Sequence, residues 1–148
     1  MTQVDIPENL RAFNPAELRD EILIHELVHT GRKLDGIYKH IETEGAAARY
    51  DNLEDFIAIL LTNIYMSEKG KKVFRGSHGS TRIARDDHVI LSKEESTSLG
   101  FLNVKDNYSI VAAFCEKDRL APGFMMLDVP FNPIRAYVRT RGAFAPAA

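Results

Sequence analysis

A mainly α-helical domain with at most a small β element is what this sequence predicts, on three observations. Asn14-Pro15-Ala16-Glu17 joins a capping residue, a proline suited to the first helical position and an acid that can close a capping box. Leu53, Phe56, Ile57, Leu60 and Ile64 recur at the spacing of a helix with one apolar face. Ser92-Lys-Glu-Glu95 repeats the capping pattern ahead of another helical stretch.

The elements follow in order. Residues 1–13 read as an arm, with Phe13 tucked onto the body. The first helix runs from Asn14-Pro15 to about Leu34, and Asp35-Gly36 stops it. Residues 36–50 are loop or a short helix, with Gly45-Ala-Ala-Ala as the most mobile part. A second helix begins at Asp51 or Asn52 and ends near Lys69, where Gly70 supplies the stop. Gly76-Ser-His-Gly-Ser-Thr81 is too rich in glycine and serine for a regular element. Val89-Ile-Leu91 is a short strand or the lead into a third helix, which spans Ser92 to about Leu102. Residues 104–117 form a fourth, Asn132-Pro133 opens a fifth, and 142–148 are a tail. All of this fits one domain over 1–148.

Composition narrows the function. With 45% hydrophobic and 27% charged residues the chain is of ordinary globular type. A net charge of −2 disfavours nucleic acid, and Lys69-Gly-Lys-Lys72 and the Arg135 to Arg141 group read as solvated faces. Phe56 to Leu61, the longest apolar run, is too short to cross a bilayer, so no membrane is expected. A single cysteine, Cys115, excludes an internal disulfide and a cysteine-rich zinc finger. Its setting in Ile110-Val-Ala-Ala-Phe-Cys115 makes it a buried small hydrophobe. No general secretory signal is visible at the N-terminus, which suggests a cytoplasmic protein or one exported by a specialised system.

The chemistry lies in His25-Glu26-Leu27-Val28-His29, inside the first helix. Residues four apart return to the same face one turn along, so two imidazoles can share one zinc ion. Glu26 points to the side of that face, where it can act as general base toward a water on the metal without being a ligand. Leu18, Ile22, His25 and His29 fall at i, i+4, i+7 and i+11, which turns both rings inward. Inward imidazoles need partners, and zinc would satisfy both.

A third ligand is still needed. Glu54, at the start of the second helix, is the first choice; Ala58 and Leu61 share its face and allow the two helices to approach closely. Asp55 is the adjacent alternative. Asp35, six residues after His29, is a rival, although Arg32 stands where the corresponding pattern has glycine. Glu54 is equally suited to capping its own helix, since acids are favoured in a first turn.

His25-Glu-Leu-Val-His29-Thr-Gly, Gly36, Asn52-Leu-Glu54-Asp55-Phe-x-Ala58 and Asn63-x-Tyr65-x-Ser67-Glu68 together resemble bacterial effector-type zincin metallopeptidases, over about residues 20 to 80. The resemblance implies a compact zincin-like helical domain and a zinc-dependent endopeptidase. It also implies two histidine ligands, an acidic third ligand and Glu26 as base. Glu54-Asp55 stands where that pattern would carry a Glu-Glu pair, so the ligand stays open between them.

Peptide hydrolysis builds charge on the attacked carbonyl oxygen, and Tyr65 or His78 could donate a hydrogen bond to it. His40 and His88 have no spacing linking them to the motif and read as surface residues. The expected partner is a protein or peptide substrate. The alternative is a non-catalytic helical interaction module, either zinc-stabilised or metal-free.

Overall fold

The computed structural model of this chain describes residues 15–36, 41–43, 45–50, 52–77 and 90–141. The arm over 1–13, the Asn14 cap, His40, His78, His88 and the 142–148 tail lie outside the described residues, as do residues 78–81 of the Gly76–Thr81 loop.

The core is assembled around the second helix, α2, Leu53–Glu68. Asn52 caps it in an extended conformation, its side chain accepting from Asp55 N at 2.9 Å. The sequence marks one apolar face, but Phe56 through Ile64 are buried without interruption, so α2 is enclosed on all sides. Each such Ile, Leu or Phe removed from water contributes about 1.5–3 kcal/mol. The helix ends at the predicted glycine. Gly70 takes φ 91°, while its own N–H and that of Lys71 donate to Ser67 O and Met66 O.

The first helix, α1, Pro15–Leu34, packs on one side of α2. It too stops as predicted, with Gly36 at φ 71°. Within the stretch read as loop or a short helix, residues 45–50 form a 3₁₀ turn whose Ala47 and Tyr50 are buried; the Tyr50 ring meets Phe56 at 4.8 Å.

Four short helices form the other side. They are α3 (Ser98–Leu102), α4 (Lys105–Lys117), α5 (Ala121–Met125) and α6 (Pro133–Thr140), packed mainly on one another. Aromatic contacts join them to α2: Phe56 to Phe101 at 6.0 Å, Phe101 to Phe131 at 5.7 Å, and Phe131 stacked on Phe74 at 4.6 Å. The third helix is shorter than expected. Ser92 does accept from Glu95 N, but the chain turns extended again at Thr97, which recaps α3 by accepting from Gly100 N. The fifth helix predicted at Asn132-Pro133 is α6, because the five-residue α5 intervenes. Its Ala121-Pro-Gly reads as a helix breaker in the sequence.

Among the described residues β structure is confined to two isolated bridges, Glu42 with Asn52 and Arg75 with Ile90. The mainly α architecture is therefore as predicted; of the stretch read as a short strand or a lead into the third helix, Ile90 forms the second bridge and Val89 lies outside the described residues.

Asn132 is the busiest joint of this half. It caps α6 through Arg135 N, and its amide donates to Phe124 O at 2.7 Å and Leu127 O at 2.8 Å. Asn132→Ala is expected to lose the cap and strand two carbonyls, costing about 2–3 kcal/mol in urea unfolding. Cys115, half-buried, has its thiol pushed up to about 12, first by burial and then by the Glu116 charge. A thiol reagent at pH 8 should therefore label the native chain at least ~100-fold more slowly than the unfolded chain.

Candidate metal centre

Helix α1 is unusual in what it buries. Glu21, His25, Val28 and Arg32, at i, i+4, i+7 and i+11, all face inward, whereas Leu23, Leu27 and Leu34 are exposed. A helix that buries charge and exposes leucine breaks the ordinary pattern, and such breaks concentrate where function is built.

The two imidazoles turn toward each other as the spacing predicts. His25 Nε2 and His29 Nε2 lie 3.0 Å apart, with the rings edge to face at 80°. A carboxylate completes the group: Asp55 Oδ1 lies 3.1 Å from His29 Nε2 and 3.8 Å from His25 Nε2. Four-coordinate zinc with bonds of about 2.0–2.1 Å would place its ligands about 3.3–3.4 Å apart. The three separations of 3.0, 3.1 and 3.8 Å bracket that value. Two nitrogens and one oxygen also form a donor set suited to zinc, and all three residues come together as one possible metal-holding group. The residues present fit the ion.

Asp55 is aimed by the residue that caps its helix. Asn52 accepts from Asp55 N through Oδ1 and donates from Nδ2 to Asp55 Oδ2 at 2.9 Å. With Oδ2 so engaged, Oδ1 is the atom presented to the histidines.

Glu54, the first choice for third ligand, is placed elsewhere. It is fully buried and bound by Arg32, whose Nη2 donates to Glu54 Oε1 at 2.9 Å and whose Nε donates to Oε2. The same guanidinium donates through Nη1 to Asp118, at the C-terminal end of α4. Neighbouring positions on a helix point about 100° apart, so Glu54 meets Arg32 and Asp55 meets the histidines. Asp35 is exposed beyond the end of α1 and takes no part in the group.

Tyr65 is not a donor at this centre. It lies ten residues and about 15 Å further along α2, beneath the Lys69 ammonium, which sits 5.3 Å from its ring. Glu26, next to His25 in α1, is exposed.

No family model, curated protein or solved structure matches this chain. Its function is therefore argued from the site. No described helix is long and apolar enough to cross a membrane.

Two groups near the centre carry no motif that would single them out in the sequence. Glu21, one turn before His25, is 1% exposed and accepts from Lys71 Nζ at 2.5 Å. Arg75 is 4% exposed; burial pushes its guanidinium below the usual value, opposed by the charges of Glu21 and Asp55. Asn63 of α2 holds its backbone at two points, accepting from Arg75 N at 3.1 Å and donating to Arg75 O at 3.0 Å.

Proposed function

We propose that this chain is a zinc-dependent metallopeptidase in which His25, His29 and Asp55 hold the ion and Glu26 is the general base. The observation carrying this reading is the meeting of three ligand atoms from two helices, with an exposed glutamate between the two histidines in sequence. Zinc, when bound, supplies a Lewis acid that polarises a peptide carbonyl. Glu26, reached by solvent beside His25, accepts a proton from the attacking water on a carboxylate oxygen and can return it to the leaving amine. Asn52 keeps the Asp55 carboxylate from rotating. The resemblance to effector-type zincins supports a protein or peptide substrate and delivery by a specialised secretion system.

Protein purified without added metal should contain about one zinc per chain. Cleavage of a whole-proteome extract should fall by roughly 10²–10⁴ in Glu26→Gln with the zinc retained. Absence of metal, or full turnover in that variant, would overturn the reading.

One observation favours a metal-free interaction module instead. The 3.0 Å between the Nε2 atoms is also the length of a hydrogen bond from one neutral imidazole to the other, with Asp55 alongside. Elemental analysis separates the two readings.

A further inference from the structure

The basic group from Arg135 to Arg141, read from the sequence as a solvated face, is divided by the structure. Arg135 and Arg139 stand one turn apart on α6 and line the same open cavity of about 240 Å³, whereas Arg141, at the end of the helix, does not line it. Its other polar walls are Ser98 of α3, Asp128 ahead of α6, Asn132 and Thr140. This wall is held in place. Ser98 Oγ accepts from Asn132 N at 2.8 Å and donates to Pro130 O at 3.3 Å, and Asn132 ties α6 to Phe124 O and Leu127 O. The arginines are not compensated in the same way. Among the described residues, neither of them takes part in an ion pair, and nor does Asp128. Arg135 Nη1 donates to Met125 O at 3.1 Å, but its Nε is buried with no hydrogen-bond partner.

A buried donor without an acceptor is costly, and two cations one turn apart on a helix repel each other. An oxyanion between them relieves both. We propose that this cavity binds a small phosphomonoester, its phosphate held by Arg135 and Arg139 and a hydroxyl of its ester group by Asp128. Phosphate is favoured over a carboxylate because its charge of about −1.5 to −2 at pH 7 matches two guanidiniums, each a planar fork of donors. Asp128, which is exposed, disfavours a bare anion but accepts a hydrogen bond from a hydroxyl. The cavity of about 240 Å³ is smaller than the roughly 300–1,000 Å³ of pockets for drug-sized ligands, which confines the ester group to a few carbons. This site does not depend on the reading of His25, His29 and Asp55 as a metal centre.

Calorimetric titration of the full chain with glycerol 3-phosphate, at fixed ionic strength, tests this. A single saturable site is expected. Arg139→Ala, at an exposed position and with folding checked by circular dichroism, should weaken binding roughly tenfold or more. Arg141→Ala removes the same charge from the same end of the chain and should leave the affinity within about twofold. Inorganic phosphate should bind wild type more weakly than glycerol 3-phosphate, and Asp128→Ala should remove that preference. A wild type without saturable binding overturns the inference, as does full affinity in Arg139→Ala. Equal loss in Arg139→Ala and Arg141→Ala overturns it too, since that is attraction to a basic helix end rather than a site. Acetate competing as well as phosphate, or inorganic phosphate binding as tightly as the ester, overturns the ligand class. The same titration with EDTA present should give the same affinity; its loss would put the phosphate on a metal ion and overturn the site.

Discussion

Arg32→Met is expected to cost about 3–5 kcal/mol, read as a lowered urea midpoint with little change in slope. Arg32 pairs with a buried acid, Glu54 on α2, and with the half-buried Asp118 at the end of α4. Methionine would fill much of the space and leave both carboxylates in a setting where each is costly to ionise. Against a total stability of roughly 5–15 kcal/mol, the loss is a large fraction. Lysine would retain the charge but not the fork that reaches two partners at once, so Arg32→Lys should fall between wild type and methionine. A midpoint unaffected by Arg32→Met would mean that this three-way contact contributes little to holding α1, α2 and α4 together.

The second large effect concerns the neighbouring acids on α2. Asp55→Asn is expected to weaken zinc binding by roughly 10²–10³-fold while leaving the fold intact, since an amide is a poor zinc ligand yet can still accept from Asn52. Glu54→Gln should do the reverse: folding stability falls because Arg32 loses one of its two charged partners, whereas folded molecules still take up zinc. Calorimetric titration of both variants, each paired with a thermal melt, reads the two effects separately. Equal loss of zinc in both would show that the assignment of separate tasks to the two acids is mistaken.

Legibility followed the strength of local signals. The start of α2 at Asn52, the stops at Gly36 and Gly70 and the inward turn of His25 and His29 all follow from capping and from 3.6-residue periodicity. The shorter helices were less legible. Thr97 interrupts a run that Ser92 begins, and α5 carries proline and glycine inside five residues.

The third ligand was hardest, for a geometric reason. Glu54 and Asp55 are adjacent, and which of them faces α1 depends on the rotation of α2 about its own axis. That rotation is a tertiary quantity, absent from any local pattern. A usable signal was nevertheless present in Arg32. It falls on the same inward line as His25, two turns on, and a buried guanidinium requires an acid. Extending the stripe to Arg32 would have assigned it one of the two carboxylates and left the other for the histidines. Arg75 and Glu21 offered no comparable cue, because their burial depends on the loop that follows α2 folding back.

The Arg32–Glu54 contact also acts as a rotational key. Two parallel donors from a planar fork fix the azimuth of the first turn of α2, and that azimuth decides which carboxylate is swung to the imidazoles. Asp118, from the distant half of the chain, holds the other arm of the fork, so the aim of Asp55 is set in part by a residue more than sixty positions away in sequence. Coordination geometry in this molecule is thus inherited from the docking of α4, and a change there would be felt as a mis-set angle at the cation.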